Sequence, residues 1–267
     1  MKGLKLAVIG KDVSKSDSPR MHKFIANSLG YDVDYEKISI PEGEFEEKAD
    51  DLFQKFDGFN VTIPYKLAVI EKLNKTEGDA TAFGAVNTVV TSTKTGYNTD
   101  GLGFMMMLEN EGVEVAGKKV LIIGAGGAGR SVAKKLSDAG ATVEIYDKNA
   151  SLAAAVANEF SGVRALDKIE LTPYYALINA SGVGMHKSEG LSPVGADLIE
   201  VCEVAIDLIY VPAKSRFLEI AEGLGKKIIN GKAMLFYQAY FAECIYAGLT
   251  PNHETAKSLF LRFEEEK

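Results

Sequence analysis

The chain has 267 residues, 46% apolar and 25% charged, enough for one large domain or two of ordinary size around a sizeable core. Its formal net charge is −7 with no basic tract, which argues against nucleic acid or an anionic membrane as a partner. No apolar run reaches the ~18 residues of a membrane span.

Leu4 to Ile9 reads as a buried strand, too short for the apolar stretch of a signal peptide. A helix follows from about Pro19 to Leu29, with Ser18 as N-cap and Gly30 ending it. Tyr35 to Ile40 alternates like a strand, and Pro41 to Phe56 reads as an acidic amphipathic helix. Gly58 to Ile63 is a strand stopped by Pro64, Tyr65 to Leu73 a helix, and Ala85 to Thr91 with Thr95 to Thr99 a hairpin. This alternation predicts a mostly parallel, helix-covered sheet. Gly101 to Glu111 is helical, its methionines serving packing.

The next stretch, KKVLIIGAGGAGRSVAKKL from Lys118 to Leu136, has the pattern of a strand, a tight glycine turn and a helix start. Gly124, Ala125, Gly126, Gly127, Ala128 and Gly129 would let the backbone approach a pyrophosphate at the helix N-terminus. A second strand, Ala141 to Tyr146, ends in Asp147, where a ribose-binding acid is expected. Beyond it come a helix over Ala150 to Phe160 and strands over Tyr175 to Asn179 and Val204 to Leu208. A helix over Lys214 to Glu222 and a strand over Lys227 to Asn230 follow, then helices over Met234 to Ala247 and Glu254 to Glu264. The expected fold is α/β. Residues 1–100 and 238–267 would form a substrate-binding domain and 101–237 a Rossmann-type dinucleotide domain, with the active site in a cleft between them.

Cys202 and Cys244 lack C-x-x-C spacing and fit a reducing cytoplasm. His22, His186 and His253 are scattered, so no metal is expected. Ser16 and Ser18 can bond a polyol or a carboxylate, or serve only the loop and the helix cap. Asn60 and Thr62 share one strand face, and Pro64 then sets Lys66 in the first turn of a helix. Lys66 there can bind an anion, act as an acid, or be an ordinary surface lysine. Asp100 either caps the helix that follows it or pairs with Lys66 to hold and move a hydroxyl proton.

S-x-S-P-x-x-H, NVTIPYK, GAVNT, NTDG and GAGGAG, in this order and spacing, resemble the shikimate/quinate dehydrogenase family, a likeness that runs to Gln238. The resemblance implies a two-domain oxidoreductase that interconverts 3-dehydroshikimate and shikimate, in the pathway to the aromatic amino acids, by hydride transfer with NADP or NAD. It implies Lys66 and Asp100 as the catalytic pair and Ser16 and Ser18 on the substrate carboxylate. Asn60, Thr62, Asn87 and Asp100 would bind ring hydroxyls, with Tyr210 and Gln238 as further substrate contacts. The cofactor would meet the glycine turn, Asp147, Lys148, Asn149, Asn179, Ala180, Ser181, Leu208 and Gly231. The assembly is left open between monomer and homodimer.

The chain departs from the family pattern at Asp147-Lys148-Asn149, where NADP-using members commonly carry N-R-T. A carboxylate there accepts bonds from both ribose hydroxyls and repels a 2′-phosphate, tilting the chain toward NAD, while Lys148 works the other way. Ser215-Arg216 replaces T-P, and Lys232 and Ala233 replace two residues of G-L-x-M-L. The rivals are a quinate or dual quinate/shikimate dehydrogenase, a relative acting on aminoshikimate or another cyclic hydroxy acid, a non-catalytic nucleotide sensor, and an oxidoreductase sharing only the Rossmann half.

Overall fold

A computed structural model describes residues 3–185 and 188–266, so His186 lies outside the described residues. Two compact units divide the chain, Met1–Gly103 with Phe236–Lys267, and Phe104–Leu235.

The first unit begins with β1 (Leu4–Gly10), α1 (Ser18–Ser28), β2 (Val33–Ser39), α2 (Phe45–Lys55) and β3 (Gly58–Val61). It continues with β4 (Lys75–Thr76), α3 (Asp79–Phe83), β5 (Thr88–Val90) and β6 (Thr95–Tyr97). The sheet order is β2-β1-β3-β5-β6-β4. Alternate residues of β1 enter different cores: Ala7 and Ile9 join Phe45, Ala49 and Leu52 of α2, while Leu6 and Val8 pack with Val13 and Tyr35. A strand buried on both faces reads as an unbroken apolar run. β1 is parallel to β2 and β3, and β4 to β6, but β5 is antiparallel to both β3 and β6. The sheet is therefore mostly parallel, as expected, with β5 alone reversed. The short link from β5 to β6 allows only a hairpin, since a parallel return needs a dozen or more residues.

Two local expectations are corrected. Helix α1 starts at Ser18 with Asp17 in the cap position and without a side-chain cap bond. Lys66 lies in a turn ahead of a short 3-10 helix, Ala68–Lys72, rather than in an α-helix. Tertiary anchors set that turn: the Tyr65 ring stacks on Phe45 at 4.7 Å, and its hydroxyl donates to the Ile40 carbonyl at 2.7 Å.

Helix α4 (Asp100–Asn110) leads into the second unit, built from β7 (Lys119–Ile123), α5 (Gly127–Asp138), β8 (Thr142–Tyr146), α6 (Ala150–Glu159) and β9 (Val163–Ala165). There follow β10 (Tyr174–Asn179), α7 (Ala196–Glu200), β11 (Cys202–Asp207), α8 (Arg216–Gly223) and β12 (Lys227–Asn230). Every pairing in its sheet, ordered β12-β11-β10-β7-β8-β9, is parallel. The chain runs outward from β7 on one side and from β10 on the other, which makes the β7/β10 boundary the topological switch point where α/β sheets bind ligands. Val132, Ala133 and Leu136 form the buried stripe of α5.

Helix α9 (Lys232–Ala247) and α10 (His253–Glu265) complete the chain. In the first unit α10 packs on α1, with Phe24 and Phe263 rings 5.3 Å apart and the Arg20 guanidinium 4.0 Å above Phe263. The sequence reading missed β4, α3, β9 and α7, all five residues or shorter and so without a readable period. No helix among the described residues is long and apolar enough to cross a membrane.

Candidate active site

In the first unit Lys66 Nζ lies 2.5 Å from Asp100 Oδ2, with side chains 20% and 12% exposed. At that burial water shields the charges less than on an open surface, and the ammonium remains reachable. The backbone holds both partners in place. The Lys66 carbonyl accepts from Val86 N at 2.8 Å. The Asp100 N–H donates to Asn98 Oδ1 at 3.0 Å, and Asn98 Nδ2 donates to the Ala85 carbonyl at 2.9 Å. Asp100 is thus the first residue of α4 rather than its cap, and Asn98 satisfies its free N–H. The Asp100 carboxylate is left to accept from Lys66 on one oxygen and from Asn87 Nδ2, at 2.8 Å, on the other.

Gln238 on α9 joins this cluster, its Oε1 3.5 Å from both Asn87 Nδ2 and Thr99 Oγ1. Asn60 is 7% exposed. Its Oδ1 accepts from Tyr35, and its Nδ2 donates to the Asn87 carbonyl and Thr88 Oγ1, so it has no donor left for a substrate. Thr62 follows β3 and is half-buried, with its methyl against Gly10. Ser16 donates to Ser18 Oγ at 2.9 Å, so the two serines are tied to each other. Ser16 Oγ also accepts the N–H of Ser18, the first residue of α1, at 3.2 Å, which leaves the hydrogen of the Ser18 hydroxyl to a ligand.

In the second unit the expected cofactor residues gather at the carboxyl ends of the parallel strands. Gly124 has φ +107°, and a Cβ there would sit 2.6 Å from the backbone of Ala180 and Ser181. One at Gly129 would sit 2.0 Å from the Gly124 carbonyl, and one at Gly231 2.1 Å from that of Leu208. Internal packing thus requires these three glycines. Gly126 and Gly127 differ, since a Cβ there would meet no atom within 4 Å and neither has a positive φ. Only a group approaching from outside would require glycine at those two positions. They flank the start of α5, whose first amides and dipole suit a phosphate, so the loop fits a dinucleotide.

Four strand ends share one device. Asp147, Asn179, Asp207 and Asn230 each accept, through Oδ1, the backbone N–H two residues on. Asp147 Oδ2 also accepts from Ala125 N at 2.8 Å, tying the end of β8 to the glycine loop. Lys148 is exposed, and Asn149 caps α6 through the Ser151 N–H. Asn179 is fully buried and spends its amide on Val183, Asp207 and Ser181, so its role there is to shape the loop. Burial pushes the Asp207 carboxyl above its ordinary range, and bonds from Ser215, Ile209 N and Asn179 pull it partly back. Tyr210 lies half-buried in the segment after β11. The thiols of Cys202 and Cys244 are buried, and burial pushes the first up to about 11, so both stay protonated and unreactive.

Residues 8–89 match the shikimate dehydrogenase substrate binding domain, and residues 107–184 the shikimate/quinate 5-dehydrogenase domain. A shikimate dehydrogenase (NADP(+)) of Carboxydothermus hydrogenoformans is 37% identical over 257 residues, covering 91% of each chain. This chain belongs to the shikimate/quinate dehydrogenase family. As a member it is an NAD(P)-dependent oxidoreductase acting on a CH–OH group. A chorismate mutase/shikimate 5-dehydrogenase fusion protein from Clostridium acetobutylicum matches with a TM-score of 0.90 at 31% identity, over 100% of this chain and 99% of that one. The Thermus thermophilus shikimate 5-dehydrogenase in complex with NADP(H) and shikimate matches with 0.87 at 35% identity, over 97% and 99%.

Sequence reasoning missed Tyr35, Asp207 and Glu243, and named Thr88, Asn98 and Ser215 only as members of motifs without giving them a role. Asp207 carried a signal, an acid closing the apolar run of β11. Tyr35 and Glu243 carried none, because their partners lie far away in the chain.

Proposed function

We propose that the enzyme reversibly reduces 3-dehydroshikimate to shikimate, with residues 1–100 and 238–267 binding the substrate and 101–237 the dinucleotide. The observation that carries this reading is the 2.5 Å contact of Lys66 and Asp100, joined by Asn87. In the reduction direction Lys66 gives a proton or hydrogen bond to the carbonyl oxygen as charge develops there. Asp100 fixes Lys66 with one oxygen and Asn87 with the other. Ser16 and Ser18 meet the substrate carboxylate, and the Ser18 hydroxyl donates to it. Thr62, Asn87, Tyr210 and Gln238 meet ring hydroxyls, and Asn60 accepts from one through its remaining lone pair. When bound, the nicotinamide cofactor supplies the hydride. Gly124 to Gly129 and the first turn of α5 would hold its pyrophosphate, with Asp147 at the adenosine ribose. Ser181, Leu208 and Gly231 would line its other end.

The Carboxydothermus relative is named for NADP(+) and the Thermus structure holds NADP(H), but we assign this chain NAD at least as readily. The Asp147 carboxylate would repel a 2′-phosphate, whereas the exposed Lys148 would offset only part of that repulsion. Assays of purified enzyme with shikimate and quinate, each with NAD and NADP, test both statements. Shikimate should give the highest kcat/KM, and turnover of neither acid with either nucleotide would overturn the reading.

A further inference from the structure

Behind the Lys66–Asp100 pair lies a set of polar residues given no role above. Tyr35 on β2 is 4% exposed, and its ring stacks on that of His22 with centroids 4.4 Å apart. His22 Nδ1 lies 2.5 Å from Glu243 Oε1, and Tyr31 donates to Glu243 Oε2, so both oxygens of this buried carboxylate are partnered. Burial, and then the charge of Glu243, pushes the Tyr35 hydroxyl well above the ordinary phenol range. It therefore keeps its proton and donates, to Asn60 Oδ1 at 2.8 Å.

That donation sets a direction for every bond after it. With its oxygen on Tyr35, Asn60 turns Nδ2 toward the Asn87 carbonyl at 3.2 Å and Thr88 Oγ1 at 3.1 Å. Thr88, accepting there, gives its single hydrogen to Asn87 Oδ1 at 2.8 Å. Thr99 N–H reaches the same oxygen at 2.9 Å. Asn87 is left to present Nδ2 to Asp100, as observed at 2.8 Å. Reversing the Asn87 amide would set its oxygen against the carboxylate. We propose that Tyr35, Asn60 and Thr88 are positioning residues, a one-way hydrogen-bond relay that turns the Asn87 amide toward Asp100 and so aligns the Lys66–Asp100 pair. The kinetic part of its test rests on the shikimate reading.

Thr88 is the joint to break, because valine keeps its shape and removes the hydrogen bond. Thr88→Val and Tyr35→Phe should each lower kcat for shikimate oxidation roughly three- to tenfold with KM within about twofold, the Thr99 amide limiting the loss. Thr88→Ser should restore the parental kcat. In protein labelled with 15N-asparagine, NMR should find the Asn87 side-chain amide protons protected from exchange in the parent and in Thr88→Ser. In Thr88→Val they should exchange about tenfold faster or more. Melting temperatures set aside any variant that has merely unfolded. A well-folded Thr88→Val with parental kcat and parental exchange would overturn the relay, as would Thr88→Ser impaired as deeply as Thr88→Val. A parent that turned over neither acid would sink the functional reading, while the amide exchange would still decide the relay.

Discussion

In the first unit Lys66, Asn87, Asp100 and Gln238 come from four separate segments and meet side chain to side chain. In the second unit the bonds at the strand ends run mostly from a side chain to the backbone two residues on, and the loop above them is largely glycine. One site is a long-range network of functional groups, in which moving a member disturbs its neighbours. The other is a backbone surface assembled from local turns. Substitutions should therefore act differently in the two units: on turnover in the first, and on nucleotide affinity or on folding in the second.

The largest expected effect tests the network. Lys66→Ala should lower kcat by about 10²–10⁴-fold, the range of acid–base contributions, with the melting temperature little changed. Steady-state kinetics beside a thermal scan check this, and a near-parental rate would remove Lys66 from the chemistry. A pair of glycine substitutions divides the backbone surface. Gly129→Ala forces a Cβ to 2.0 Å from a carbonyl and should destabilise the fold by about 1–3 kcal/mol, lowering the melting temperature. Gly126→Ala meets no protein atom within 4 Å, so it should melt at or slightly above the parent while raising KM for the dinucleotide. Equal behaviour of the two would dissolve the distinction between packing glycines and ligand glycines.

Asp147→Asn should shift the NAD-to-NADP ratio of kcat/KM toward NADP by about tenfold, with kcat for the better nucleotide nearly unchanged. An unmoved ratio would show that selectivity lies elsewhere on the loop. The smallest effect on activity concerns Glu144, 3% exposed on β8 and away from the strand-end turns. Burial opposes its ionisation, but hydrogen bonds from Arg164 and Tyr174 and the charge of Lys119 outweigh that and hold its carboxyl below the usual 4.5. An acid lowered in the folded state stabilises the fold above its unfolded value and loses that contribution as pH falls through its folded value. Glu144→Gln should therefore cost about 1–3 kcal/mol at neutral pH, and parent and variant should converge on acidification with activity spared. Denaturant titrations at several pH values read this directly.

Local chemistry written in consecutive residues came through the sequence intact. Apolar strand runs, the glycine turn after Ile123, the Asp147 at the end of β8 and the ordered motifs of the family are all short-range patterns. They specified an α/β chain, a parallel dinucleotide-type half and the candidate residues Lys66, Asn87 and Asp100. The tertiary structure alone decided which residues those side chains face. It placed Asp100 inside α4 with its amide on Asn98, and moved Lys66 from a helix to a turn anchored by Tyr65. It also set Tyr35, Asn60 and Thr88 behind the Lys66–Asp100 pair. The physical reason is one of range: propensity and capping act over a few residues, whereas an amide's orientation is set by donors and acceptors that the chain brings together from 25 or more residues away.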